Sequence, residues 1–365
     1  MNNINFFNGK LFLTNSAINA QNVWVSGIPV SAENLTESLY KRLLEAEREK
    51  VNVLKAALNH EFPVEKLVSE YYVTEEQATE MLVLIETLAH KYKLTHIQCF
   101  ARKGTIAFNF SAFADIPSFT HLHYFLLFVT QGPERVEHEI QQYINTHYKS
   151  FKVTAIAHSF ENVRHAIAQG NRFFVAAFVG GLEMYHDQVT IFDIAFPKLN
   201  PETTLQKAER RYHDHLKIAF GFLYSSANCI RLEEYFENGV FLLHQAVEQA
   251  CIALIKVHMG YRIDLHNLYR LLNLCKCFSD KPAGIFLSEN TDSIRLFQLL
   301  SDSYGNARYK EDFHITKEDA IKLLERVDAF VNVAENLCLD WLNARRISLG
   351  GEALPNTYSV NESKD

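Results

Sequence analysis

Two prolines within five residues, at 197 and 201, separate two regions whose apolar residues repeat with different periods. Before them, within residues 95–195, short β-prone runs alternate with helical patterns. After them, apolar residues recur every three or four positions for most of the remaining chain. Alternating strands and helices predict an α/β layer, whereas continuous helical periodicity predicts a bundle. We therefore predict an α+β protein, in which a small α/β domain is followed by an all-α helical bundle.

The region before residue 195 combines one strongly apolar strand with several weaker elements. Residues 124–130 (YFLLFVT) form a continuous apolar run that ends at the turn 131–133 (QGP), which predicts a buried central strand. Residues 173–180 fit a helix or a strand. Further strands are predicted over 95–101, 105–110 and 151–158, and helices over 134–148 and 160–169.

The remaining patterns complete a four-part organisation. Residues 1–36 allow short strands or an irregular leader, residues 37–59 have helical periodicity, and the capping box at 74–77 (TEEQ) starts a helix that reaches about residue 91. Five bundle helices are predicted over 202–226, 233–260, 266–278 and 292–309 and from Thr316 onward. The predicted parts are an N-terminal leader with helices (1–93), the α/β domain (94–196), the helical bundle (202–348) and a loose polar tail (349–365).

Composition limits the chemistry. Fourteen glycines in 365 residues are under 4%, against an average of about 7%, which disfavours several Gly-rich phosphate loops. The net charge of −7 means that any nucleic-acid contact must be local rather than spread over the chain.

Cysteine spacing and hydropathy indicate a cytoplasmic protein. The six cysteines are scattered, and Cys275 and Cys277 form a C-x-C pair rather than the C-x-x-C of a zinc or redox site. The N-terminal residues lack the basic region and long apolar core of a signal peptide, and we find no apolar run of 18 residues. We expect reduced thiols, no membrane span, no metal and no cofactor.

Three segments of the helical region occur in a characteristic order. Residues 236–254 contain the pattern His-Gln-Ala-x-Glu, residues 260–268 combine a Gly-Tyr turn with a His-Asn-Leu helix start, and residues 296–316 contain Ala-Arg-Tyr-Lys. Together they resemble the HEPN family (higher eukaryotes and prokaryotes nucleotide-binding) over about residues 205–340. The resemblance implies a helical bundle that binds nucleotides or RNA.

The α/β region resembles a second family in residues 161–174 and 181–185. These segments are similar to the end of a minimal nucleotidyltransferase (MNT-type) domain, which often accompanies HEPN. Active members have a Gly-Ser-x-x-x-Gly loop before an Asp-x-Asp strand, whose carboxylates hold magnesium.

Neither of these two motifs is complete in this chain. Residues 100–105 (FARKGT), at the expected loop, lack the Gly-Ser pair, and Phe125 precedes Leu126-Leu127 where an aspartate would stand. The nearby His121 and His123 are poor magnesium ligands, and Asp115 is out of register. We predict a degenerate, non-catalytic nucleotidyltransferase-like domain.

The HEPN resemblance also implies candidate site residues. Ribonucleases of the family have an Arg-x4–6-His motif, and Arg308 and His314 are separated by five residues. In such enzymes the arginine stabilises a phosphorane-like transition state, and the histidine acts as base or acid without a metal. Tyr309 and Lys310 are then candidate nucleic-acid contacts. Two protomers commonly build the site together, which implies a homodimer through the bundle.

For three further polar residues of the bundle, the sequence allows more than one structural role. His244 and Glu248 are spaced i, i+4 on one helix, which suits either a metal pair or an interhelical hydrogen bond, and we favour the hydrogen bond. His266 is expected to cap or pack at a helix start.

These observations support three hypotheses about function. The first is a HEPN protein that binds nucleotide or RNA in a stress, defence or toxin–antitoxin system. The second is a metal-independent endoribonuclease that uses Arg308 and His314, and the third is a non-catalytic interaction protein that dimerises. Nucleotidyl transfer is not expected from any of them.

Overall fold

A computed structural model of the protein describes two compact units, Met1–Val64 and Glu65–Asp365. The described residues are 75–107, 119–187, 189–190, 195–232, 234–288 and 290–358, together with the backbone of four short strands before residue 31. Those strands form two antiparallel hairpins, which pair β1 (Ile4–Phe7) with β2 (Lys10–Leu13) and β3 (Val23–Val25) with β4 (Ile28–Val30). The helix predicted over 37–59 lies outside the described residues.

The second unit contains a sheet followed by a helical bundle, as predicted. The strands are β5 (Leu94–Ala107), β6 (Phe119–Thr130), β7 (Phe151–Ser159) and β8 (Leu182–His186). The helices beside the sheet are α1 (Glu75–Tyr92), α2 (Glu137–His147), α3 (Phe160–Ala168) and α4 (Arg172–Gly180). The bundle contains α5 (Pro201–Arg231), α6 (Phe236–His258), α7 (Leu268–Cys275), α8 (Lys281–Phe286), α9 (Thr291–Tyr309) and α10 (Lys317–Ser348).

The sheet is mixed, with the strand order β7-β6-β5-β8. Strand β5 pairs antiparallel with β6 and β8, and β6 pairs parallel with β7. Residues 173–180, which fitted either a helix or a strand, lie in α4. Helix α1, which the sequence patterns assigned to the leader, packs on β5 and β8.

One sequence expectation about β5 is wrong. Residues 100–105 were expected to correspond to a phosphate-loop position between two short strands, but they lie inside a single strand that continues to Ala107. Gly104 pairs with Leu122 of β6, and a Cβ at Gly104 would lie 3.3 Å from the Leu122 side chain. The missing side chain therefore admits a close neighbour within the sheet instead of forming a turn.

Strand β6 is the central strand that its apolar run predicted. Alternate residues point to opposite faces of a strand, and both sets are fully buried. Phe125, Leu127 and Val129 join α3, α4 and the bundle in one continuous hydrophobic core, and Tyr124 and Leu126 are buried on the other face. Burial on both faces explains why this strand lacks alternation between polar and apolar residues.

Helix α6 is the central helix of the bundle. It packs against α5, α9 and α10, and fourteen of its residues are buried. It is the one helix among the described residues that is long and apolar enough to cross a membrane, and most of that apolar stretch is buried inside the bundle. Packing within the protein therefore accounts for its apolar composition.

Arg172 at the start of α4 joins the sheet region to the end of α6. Its guanidinium donates to the carbonyl oxygens of Val257 (2.6 Å) and Met259 (3.3 Å), and lies 4.6 Å from the ring centroid of Trp341. The last carbonyl groups of a helix lack partners within the helix, and a cation is favourable there. Burial, with Arg211 and Arg345 nearby, lowers the Arg172 pKa to about 10.

The crossing of α5 and α6 depends on a glycine. A Cβ at Gly239 would lie 2.4 Å from the Ile230 side chain, and the Ser226 hydroxyl donates to the Gly239 carbonyl oxygen at 2.9 Å. The two helices can approach this closely only where the side chain is absent. By contrast, a Cβ at Gly221 of α5 would meet nothing within 4 Å.

We expect Gly239→Ala to lower the free energy of unfolding by about 1–3 kcal/mol, because the added methyl group forces the helices apart. Gly221→Ala is the matched control and should raise it by up to about 1 kcal/mol, since alanine is the better helix former. Urea denaturation followed by circular dichroism measures both. Equal effects of the two substitutions would contradict the close crossing at Gly239.

Candidate functional site

Tyr304 of α9 is the centre of a cluster that includes three of the residues selected from the sequence. Its ring stacks on His266, with centroids 5.4 Å apart and an interplanar angle of 11°. The His244 ring lies 5.0 Å from the same ring, and the Arg308 guanidinium carbon lies 4.4 Å from its centroid. Tyr304 was not among the residues selected from the sequence, although its position one helical turn before Arg308 is a signal that could have pointed to it.

Arg308 is held by aromatic rings at an exposed turn. Besides Tyr304, the rings of Phe241 and Tyr309 have centroids 5.6 and 5.1 Å from its guanidinium carbon. Its Nε donates to the Tyr304 carbonyl oxygen at 2.8 Å. Within the described part of the chain no carboxylate lies within 4 Å of this guanidinium. Arg308 is thus oriented by π contacts while its charge remains available to an anion.

His314 lies in the connection that follows α9 and is 83% exposed. Its Nδ1 lies 3.7 Å from Oε1 of Glu237, which also accepts a hydrogen bond from the Ile315 backbone N–H at 3.1 Å. Glu237 and Phe241 are one turn apart on α6, so they occupy the same helix face. His314 and Arg308 therefore lie along one face of α6, at successive turns.

A buried carboxylate lies deeper in the same cluster. Glu248 is 4% exposed, and its Oε1 accepts a hydrogen bond from His266 Nδ1 at 3.1 Å. Its Oε2 lies 4.0 Å from His244 Nδ1 and has no hydrogen-bond partner. Glu248 therefore bonds to His266, in the segment that precedes α7, and not to His244 of its own helix.

The neighbours of His244 and His266 clarify their separate roles. The Gln245 side-chain amide lies 3.2 Å from His244 Nδ1, and Asn267 rather than His266 caps α7 by accepting from the Arg270 backbone N–H. His266 packs at the helix start, which is one of the two roles predicted for it. The described residues contain no group of three or more His, Cys, Asp and Glu side chains arranged to hold a metal.

The expected magnesium position of the sheet holds apolar and neutral groups. Phe125 is completely buried, and the His123 ring stacks on it with centroids 4.2 Å apart. His123 Nε2 also lies 2.8 Å from the Thr154 hydroxyl. His121 is exposed at the start of the same strand, and Asp115 lies outside the described residues. This stretch of β6 supplies core packing and no carboxylate.

The comparisons with known proteins identify the bundle. The model of the HEPN domain matches residues 212–337, so this part of the chain is a HEPN domain, as predicted from its three motif segments. A solved nucleotidyltransferase-like protein from Exiguobacterium sibiricum 255-15 is similar to the chain at 13% identity, over 73% of this chain and 79% of that chain. The TM-score of this comparison is 0.25. No curated protein matches the sequence significantly.

The buried histidines make stability depend on pH. Burial lowers the pKa of His123, His244 and His258 to about 4, and nearby positive charges, including His266 and Arg308 for His244, add to the shift. Unfolded histidine has a pKa of about 6.5. Between these values the unfolded chain binds protons that the folded chain does not, so stability falls as the pH falls from about 6.5 to 4.

Between pH 7 and pH 4, the free energy of unfolding should fall by about 3 kcal/mol less in His244→Gln than in the wild type, because glutamine does not titrate. Urea denaturation at a series of pH values measures the difference between the wild type and the variant. Parallel pH dependences for the two proteins would contradict a neutral, buried His244.

Proposed function

We propose that the HEPN domain binds RNA or a nucleotide at the exposed turn formed by Arg308, Tyr309, Lys310 and His314, which we call the 308–314 surface. This proposal rests mainly on the position of Arg308 at the end of α9, where three aromatic rings lie around its guanidinium. Single-stranded nucleic acids are bound where cations meet the phosphates and aromatic rings stack on bases.

The side chains beside Arg308 suit this role. Tyr309 is 79% exposed, so its ring is accessible for stacking, and Lys310 is exposed at the helix end. Glu311 and Asp312 follow directly and are also exposed, which confines the positive charge to a short segment. A local contact of this size fits a chain with a net charge of −7.

A second candidate is a metal-independent endoribonuclease, which the position of Arg308 and His314 along one face of α6 favours. In this reaction His314 removes the proton of an RNA 2′-hydroxyl, and the resulting oxyanion attacks the adjacent phosphorus. The bond to the 5′-oxygen breaks as that oxygen takes up a proton from water, and a 2′,3′-cyclic phosphate remains on the other fragment. Arg308 stabilises the extra negative charge on the phosphorus in the transition state.

One set of variants, assayed in the presence of a chelator, tests RNA binding and RNA cleavage separately. We expect Arg308→Gln to weaken binding of labelled single-stranded RNA about tenfold, through loss of one charge-assisted contact. Arg210→Gln is the control, since Arg210 is an exposed arginine of α5 outside this surface, and it should bind as the wild type does. Filter binding measures the affinity, and equal affinities for Arg308→Gln and the control would contradict the proposed surface.

Gel electrophoresis of the same RNA reports cleavage. Loss of cleavage in His314→Ala, with binding retained, supports the endoribonuclease. Uncut RNA with the wild type excludes it under these conditions and leaves binding alone. If RNA and nucleotides both fail to bind, the third hypothesis of a non-catalytic, dimerising interaction protein is favoured.

We further propose that the chain forms a homodimer through its HEPN bundle, is cytoplasmic, and acts in a stress, defence or toxin–antitoxin system. The resemblance to HEPN ribonucleases supports these proposals. Sedimentation equilibrium should give about twice the chain mass of 42.0 kDa. A monomer at micromolar concentration would contradict the dimer.

We also propose that the α/β region does not transfer nucleotides. The completely buried Phe125, at the position of an expected aspartate, supports this proposal. Incubation with magnesium and labelled ATP should then label no protein, and incorporation of label would contradict it.

A further inference from the structure

Three basic side chains form a row across the sheet. Lys103 of β5 is the register partner of His123 of β6, and His123 is the register partner of Lys152 of β7. Register partners in neighbouring strands point to the same face of a sheet, and strands lie about 5 Å apart. Lys103, His123 and Lys152, which we call the basic row, therefore cross about 10 Å of one face.

A third lysine approaches the row from the bundle. Lys276 follows α7, and its pKa is lowered by burial and by the charges of Lys152 and Lys103. The His123 pKa is lowered to about 4 by burial and then by Lys276, Lys152 and Lys103. All three ammonium groups are thus close enough to act on the same imidazole, although they come from separate segments.

One carboxylate of the described residues contacts this group. Asp280 Oδ2 lies 2.8 Å from Lys103 Nζ, and the Asp280 side chain is 71% exposed. With His123 neutral at pH 7, three lysines and one aspartate leave two positive charges. An exposed ion pair contributes little stability and can exchange its partner readily.

The centre of the row is rigid. His123 is held on one side by the Thr154 hydroxyl at 2.8 Å and stacks on Phe125, which is completely buried. Lys152 is exposed, and Lys103 and Lys276 are half-buried. The lysines therefore lie near a half-buried imidazole that Thr154 and Phe125 hold in place on the sheet.

We propose that the basic row, together with Lys276, binds the oligophosphate group of a nucleotide without a metal ion. Several ammonium groups spaced over about 10 Å suit a ligand that presents several phosphates in line. Here the protein's own lysines provide the positive charge that neutralises the phosphates. This site lies on the sheet, and the 308–314 surface lies on the HEPN domain, so each can fail independently.

Isothermal titration calorimetry of the full chain with inorganic tripolyphosphate and with ATP, both in EDTA, tests this site. We expect saturable binding that Lys152→Gln and Lys276→Gln each weaken about tenfold. Asp280→Asn should instead tighten binding, because it removes the competing carboxylate. Lys217→Gln, at an exposed lysine of α5, is the matched control and should bind as the wild type does.

The outcomes distinguish a nucleotide from a free phosphate chain as the ligand. Tighter binding of ATP than of tripolyphosphate identifies a nucleotide, whereas equal binding assigns the site to the phosphate chain alone. Lys152→Gln and Lys276→Gln should leave the binding of labelled single-stranded RNA at the 308–314 surface unchanged, which keeps this test separate from RNA binding. No binding by the wild type, or equal weakening by Lys152→Gln and Lys217→Gln, would overturn the proposal. Weaker binding by Asp280→Asn would also overturn it.

Discussion

The burial of α6 is the constraint on which the rest of the structure depends. Each fully buried Leu, Ile or Val side chain contributes roughly 1.5–3 kcal/mol, and this helix buries such residues on all sides among α5, α9 and α10. The cost is that its polar residues lose contact with water, and a buried polar group must find partners within the protein. Glu248 finds a hydrogen-bond partner in His266, and the His244 ring packs on Tyr304, both from segments that follow α6.

The ends of α6 have the same requirement, and they connect the other parts of the molecule. At the last turn, Arg172 of α4 donates to the free carbonyl groups and thereby joins the sheet to the bundle. At the first turn, Glu237 accepts from the Ile315 backbone and lies near His314. The position of the 308–314 surface thus follows from the contacts that its segment makes with α6.

Much of the fold could be predicted from local patterns. The helix expected over 292–309 is α9 (Thr291–Tyr309), and the apolar run 124–130 is a central strand, because periodicity and burial leave clear traces in a sequence. The continuity of β5 through Gly104 could not be predicted this way, since it depends on pairing with β6, which is distant in sequence. The same applies to Tyr304, whose ring partners His244 and His266 come from two other segments, and to the bond between Glu248 and His266.

The proposed RNA-binding residue is an arginine that aromatic rings hold at an exposed helix end. Ultraviolet cross-linking of bound single-stranded RNA, followed by mass spectrometry of the cross-linked peptides, tests that assignment most directly. We expect cross-links to concentrate in the peptide that contains Tyr309, because its exposed ring lies beside Arg308. Cross-links confined to other segments of the chain would contradict it.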